Sequence, residues 1–186
     1  MTITIGKPPD HTFDEPLGLL SDCHRRIEHF LHALITIDQR AVRTLTPAEF
    51  VELEAALIYF ATAAPRHTAD EEESLFPRLR ASSDPHAAPA LEQVSRLERD
   101  HDEADAHHRA VDTLGRRWLA DGALDADAAL EFRGHLSALQ AIYEAHIGIE
   151  DHELFPAAAR VLSADQLREI GREMAARRSI RRANVP

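Results

Sequence analysis

The chain has 186 residues, 44% of them apolar, a formal net charge of −11 and a single cysteine. That length suits one domain with a substantial core. The charge disfavours non-specific nucleic-acid binding, and no apolar run approaches the roughly 20 residues needed to span a membrane. Cys23 stands alone, so an intrachain disulfide is excluded. With no basic start followed by an apolar stretch, the expected compartment is the cytoplasm.

Ala, Leu, Glu and Arg outweigh Val, Ile, Thr and the aromatic residues, which favours helix over sheet. Residues 1–13 read as an irregular arm containing Pro8, Pro9 and His11. The first helix is expected from Asp14 to Arg43, with an inner stripe of Leu17, Leu20, His24, Ile27, Leu31, Leu34 and Asp38 at alternating three- and four-residue steps. The second opens at a capping box, in which Thr46 caps, Pro47 takes the first helical position and Glu49 sits three after the cap. Its stripe is Phe50, Leu53, Leu57, Phe60, Ala64, His67 and Glu71. Pro65 should kink this helix, and Pro77 should end or kink it again.

After the turn-rich ASSDPHAAP, a third helix carries Val94, Leu97, His101, Ala104, His108, Val111, Gly115 and Trp118 on one face and stops near Asp121-Gly122. The fourth carries Phe132, His135, Leu139, Ile142, His146 and Ile149 and is expected to stop near Pro156. A capping box from Ser163 to Gln166 opens a fifth helix bearing Arg168, Arg172, Arg177, Arg178, Arg181 and Arg182. The expected architecture is all-α: an up-down-up-down four-helix bundle over residues 14–160, with an additional basic helix and tail over 161–186. That last helix reads as a solvated cap, dispensable for any site in the bundle. Its functional alternative is a docking face for an acidic partner or a second copy of the chain.

The chain also repeats itself. His67-xxx-Glu71 followed by Leu75-Phe76-Pro77 recurs as His146-xxx-Glu150 followed by Leu154-Phe155-Pro156. Asp22-x-His24 and Asp100-His101 sit at nearly the same offset, so the bundle reads as two related hairpins. Residues four apart on a helix lie about 40° apart around the axis and about 6 Å apart along it, so each His/Glu pair can aim both groups inward. Depth counted from the helix ends puts His24, His67, His101 and His146 at one level, within about two turns.

Four inward imidazoles and two inward carboxylates are costly in a dry core unless something satisfies them. A metal pair does so. Imidazole with carboxylate and no thiolate suits iron, manganese or zinc. His24, His67, Glu71, His101, His146 and Glu150 are therefore the candidate ligands, each metal taking imidazoles from its own hairpin and the two carboxylates placed to bridge. A lone inward histidine is more often a satisfied core residue; the duplicated motif and matched depths carry the metal reading. His11, His29, His32, His86, His107 and His152 read as solvated or rim residues, and His108 and His135 as polar groups away from the ligand level. Cys23, Tyr59 and Trp118 read as packing residues.

At these residues the sequence resembles the hemerythrin-like (HHE cation-binding) domain. The resemblance spans roughly residues 14–160 and rests on His24 within HRRIE, His101 within HDE, and the two His-xxx-Glu motifs running into LFP. It implies a left-handed four-helix bundle with two iron ions in an oxo- or hydroxo-bridged non-haem centre. It also implies a small ligand: members carry, sense or react with dioxygen, nitric oxide or peroxide, or sense iron. The sequence departs from the oxygen carriers of that family at two places. Asp105 stands where they have a second histidine on the third helix, and the last pair is His146 and Glu150, four apart, instead of His and Asp five apart. Asp105 is either an anionic ligand or points away and leaves an open position. Both disfavour reversible oxygen carriage.

The expected function is a sensor or binding protein for one of these small molecules. The alternative is an enzyme disproportionating peroxide or acting on nitric oxide. A ferritin-like site would need two Glu-xx-His motifs, and only Glu98-xx-His101 fits.

Overall fold

A computed structural model describes residues 9–39 and 44–179. The ordered elements among them are helical: α1 (Pro16–Asp38), α2 (Pro47–Thr62), α3 (Ala64–Asp70), α4 (Phe76–Arg80), α5 (Ala88–Asp121), α6 (Ala126–Ile149), α7 (Phe155–Val161) and α8 (Ala164–Ser179), with a short 3-10 turn at Pro85–Ala87. Two π-helical turns, Glu71–Leu75 and Glu150–Leu154, join α3 to α4 and α6 to α7. None of these helices is long and apolar enough to cross a membrane. Pro8, Arg43, Arg181 and Arg182 lie outside the described residues.

The helix ends follow their local chemistry. At α2, the Glu49 amide donates to Thr46 Oγ1 and the Thr46 amide donates to Glu49 Oε2 at 2.8 Å, closing the expected capping box. Ser163 and Gln166 exchange the same pair of bonds ahead of α8. α5 stops where Gly122 takes φ 82°, a left-handed cap open to a residue without Cβ. Asp125 then caps α6 by accepting from the Ala128 amide at 2.8 Å.

α1 packs on α2 and α6, and α5 packs on α2 and α6, so these four helices close into a ring. The stripes read from sequence largely line this core: Leu20, Ile27, Leu34, Leu53, Leu57, Leu97, Val111, Trp118, Phe132 and Leu139 are all buried. Some stripe positions differ: Leu17, His108 and Ile142 are only half-buried. Phe50 is 39% exposed in the first turn of α2, beyond the reach of neighbouring helices. On α6 it is Leu136 that turns into the core, leaving His135 half-buried with its Nδ1 2.8 Å from His107 Nδ1.

Proline shapes the segments that matter most. Pro65 sits in the first turn of α3, and the helix breaks before it at Ala63, as expected. Pro77 and Pro156 do not end their helices. Each follows a π turn, in which the Phe76 amide reaches Glu71 O and the Phe155 amide reaches Glu150 O. The wider turn accommodates a proline ring that would meet the carbonyl four residues back in an α-helix. The fourth segment consequently runs on through Pro156 to Val161.

The C-terminal helix is not a solvated cap. Ile170 and Met174 of α8 are fully buried in a cluster with Leu20, Leu75, Phe76 and Leu97. Burial of that kind stabilises by about 1.5–3 kcal/mol per side chain. Arg177 Nη1 and Arg178 Nη2 meet the two oxygens of the fully buried Asp70 at 2.9 and 2.8 Å, and Arg78 grips Glu173 with two bonds of 2.7 and 2.9 Å. Gly171 permits the docking: a Cβ there would overlap the carbonyl oxygen of Phe13. His11, next to that segment, donates its amide to the buried Asp22 at 2.8 Å.

Candidate metal centre

Four segments deliver the six expected residues to one place. His24 comes from the middle of α1 and His101 from α5. His67 and His146 lie in the last turns of α3 and α6, and Glu71 and Glu150 open the two π turns. Each carboxylate thus stands where the helix widens. None of the six is more than 9% exposed.

They form two overlapping groups: His24, His67, Glu71 and Glu150, and His101, His146, Glu71 and Glu150. Within each group the donor atoms all lie within 4.8 Å of one another. The first takes its imidazoles from α1 and α3, the second from α5 and α6, and both carboxylates belong to both. His24 Nε2 is 3.0 Å from Glu150 Oε2, His67 Nε2 3.3 Å from Glu71 Oε1, His101 Nε2 3.4 Å from Glu71 Oε2, and His146 Nε2 3.2 Å from Glu150 Oε2. Despite these approaches, all four glutamate oxygens, His24 Nε2 and His101 Nε2 are buried without a hydrogen-bond partner. Converging lone pairs in a dry site are costly for a protein alone and fit a cation between them.

Residues 15–175 match the hemerythrin HHE cation-binding domain. The chain belongs to this family. The match takes in most of α8 as well as the ring of four. The chain is also similar to a Haemophilus influenzae protein described as uncharacterized, 31% identical over 172 residues that cover 91% of this chain and 94% of the relative.

Around the HHE cluster, a second layer of carboxylates faces the outer imidazole nitrogens. His24 Nδ1 lies 3.0 Å from Asp151 Oδ1, His101 Nδ1 2.8 Å from Glu72 Oε1, and His146 Nδ1 3.5 Å from Asp100 Oδ2. On His24 and His101 the bonded carboxylate fixes the tautomer and leaves the Nε2 lone pair facing inward, whereas His146 Nδ1 makes no hydrogen bond to Asp100. Ser21 donates to Asp151 at 2.7 Å and steadies it in turn. Sequence reasoning missed these residues, although a signal was present. Glu72 and Asp151 each directly follow an inward glutamate, so they share the repeat. Each reaches across to a neighbouring segment, from the first π turn to α5 and from the second to α1.

Burial opposes a charge on His24, but its bond to Asp151 and the Glu150 carboxylate beside it outweigh this and lift its pKa to about 10. Burial likewise opposes a charge on His101, and Glu71 and Glu72 lift it to about 9. His67 is pushed well down by burial and by the neighbouring His24. Burial and the nearby Glu150 raise Glu71 to about 7. Burial also works against charge on Glu150, yet His146 and His24 beside it hold it well below the usual carboxylate range. The cluster accordingly carries protons that an incoming metal must displace.

Asp105 turns away from the cluster, with its side chain 62% exposed and paired to Arg109. The α5 side of the site therefore has His101 without a second ligand one turn on. Glu98 bonds to Arg80 at 2.7 Å on the outside, so a ferritin-like Glu-xx-His set is not assembled. Beside the cluster lies a cavity of about 260 Å³ whose lining includes His24, His101 and His146 together with Phe60, His108 and Tyr143. Tyr143 was not singled out in the sequence, where one tyrosine among apolar residues looks like packing. Cys23 is buried, which raises its thiol pKa and keeps it unreactive.

Proposed function

We propose that the chain is a non-haem di-iron protein that senses or reacts with a small molecule of the dioxygen, nitric oxide or peroxide type. In this reading the four long segments run up-down-up-down. His24 and His67 would hold one iron and His101 and His146 the other, with Glu71 and Glu150 offering a carboxylate to both. One observation carries it: both carboxylates belong to both donor groups, fully buried, with no hydrogen-bond partner for any of their oxygens. Neutral imidazoles and carboxylates without thiolate suit iron, and less specifically manganese or zinc.

When bound, the metal pair would supply Lewis acidity and electron transfer toward a small ligand. The protein's own residues do the rest. Asp151 and Glu72 orient two of the imidazoles, Asp70 ties the first π turn to α8, and the cavity gives a small molecule room beside the cluster. Metal analysis and the absorption spectrum of protein made under iron-replete conditions test this reading. Two irons per chain with near-ultraviolet charge-transfer bands support it; one metal per chain, or zinc alone at full occupancy, contradicts it.

The outward Asp105 favours a second reading, an enzyme that disproportionates peroxide. With that position turned away and a cavity alongside, the α5 side has space for a ligand. Oxygen evolution from added peroxide by the iron-loaded protein separates the two readings.

A further inference from the structure

Of the polar groups that line the cavity, His108 and Tyr143, like Thr68, Asp102 and Asp105, belong to neither the ligand set nor its outer carboxylates, and His108 and Tyr143 bond to each other. His108 lies two turns beyond His101 on α5, and Tyr143 lies one turn before His146 on α6, so both share a face with a site histidine. His108 Nε2 and Tyr143 Oη are 2.7 Å apart. The His108 ring stacks on Phe60 with centroids 4.4 Å apart and planes at 25°, which fixes its orientation. Burial lowers the His108 pKa to about 4 and raises that of Tyr143 well above the usual phenol range, so near neutrality the imidazole is uncharged and the phenol keeps its proton.

A neutral imidazole has one N–H and a phenol has one O–H. Their mutual contact uses one of these two hydrogens. His108 Nδ1 is buried with no partner. If Nε2 carries the imidazole hydrogen and donates to Tyr143, the phenol hydrogen is left over. If the phenol donates to Nε2, the hydrogen on Nδ1 is left over. Either tautomer leaves one donor of the pair without an acceptor, and a buried unmet donor is unfavourable. The cavity, at about 260 Å³, lies near the lower end of the roughly 300–1,000 Å³ typical of ligand pockets and has room for a small molecule.

We propose that the His108–Tyr143 pair makes this cavity a binding site for a small polar ligand with a hydrogen-bond-accepting end, and that the pair donates one hydrogen bond to it. Azide, peroxide and nitric oxide share that chemistry. The proposal rests on the di-iron reading and adds to it the residues that recognise the far end of the ligand.

The test uses azide as the probe, titrated into the iron-loaded full chain and followed by absorption and by the infrared stretch of the bound azide. The stretch should shift when the wild-type protein is moved into deuterated water. In the double variant Tyr143→Phe/His108→Leu the shift should disappear and azide should bind about tenfold more weakly, the loss expected for one hydrogen bond. Should that variant fail to hold iron, the wild-type isotope arm decides alone. A chain that takes up no iron contradicts the di-iron reading. A di-iron chain that binds no azide, whose bound azide ignores deuterium, or whose affinity survives in an iron-loaded double variant overturns the present proposal by itself.

Discussion

His101 Nδ1 lies 2.8 Å from Glu72 Oε1, and the two sit on different segments, α5 and the first π turn. His24 and Asp151 repeat the relationship at 3.0 Å in the other half of the bundle. These outer carboxylates fix which imidazole nitrogen faces the cluster. Glu72→Ala and Asp151→Ala should each weaken metal binding by about 10–100-fold, while the fold persists. Competition with a chromogenic chelator measures the loss, and unchanged affinity in both variants would remove any orienting role.

Metal uptake should be coupled to proton release. Without metal, the carboxylates beside them lift the pKa of His24 to about 10 and that of His101 to about 9, so both carry a proton at neutral pH. Ligation requires neutral imidazole and ionised carboxylate, and Glu71, raised to about 7, is partly protonated as well, so loading at pH 7 should release between about two and three protons per chain, and affinity should strengthen as pH rises toward the pKa values of these groups. The sign for the metal-free fold is opposite. Histidines with raised pKa values contribute stability that is present below their unfolded pKa and lost as pH rises through about 9 and 10. A pH indicator in weakly buffered solution reads the release. Loading without proton release would place these two histidines outside the ligand set.

The docking of α8 makes a prediction that the sequence did not suggest. Asp70 is fully buried, directly precedes Glu71 and meets both Arg177 and Arg178. Removing the partners of a buried charge typically costs about 3–5 kcal/mol. A chain truncated after Leu162 would also expose the apolar surface that Ile170 and Met174 cover. Truncation should therefore lower both thermal stability and metal retention, and Gly171→Ala should do the same more mildly by pushing α8 away from Phe13. A truncated chain with full metal content and an unchanged melting temperature would show the helix to be an accessory.

Asp105→Ala should leave metal content unchanged. The side chain is exposed and its partner Arg109 lies on the same helix, a pairing worth about 0.3–0.5 kcal/mol. Loss of one metal in this variant would mean that Asp105 swings inward on loading.

How far the sequence spoke depended on the range of the interaction. Helix ends at Thr46, Gly122 and Ser163 were legible because their caps are local. The six cluster residues were legible because the His-xxx-Glu repeat places them on helix faces at matching depths. The π turns were not: Pro77 and Pro156 announce a disturbance, but whether a helix stops or widens depends on packing beyond it. The Asp70 clamp joins residues more than a hundred positions apart, and no periodicity in α8 reports it. Asp105 was open in the sequence because a position one turn from a ligand sits on the edge of the inward face. Only the placement of α5 turns it outward.

The central claim is that Glu71 and Glu150 are shared between two metals. The most direct measurement is iron per chain in the wild type, Glu71→Ala, Glu150→Ala and His24→Ala, all produced under iron-replete conditions and checked for helix content. The account predicts about two irons in the wild type, loss of both together in each glutamate variant, and predominant loss of one in His24→Ala. Glutamate variants that keep one iron with undiminished affinity would contradict it.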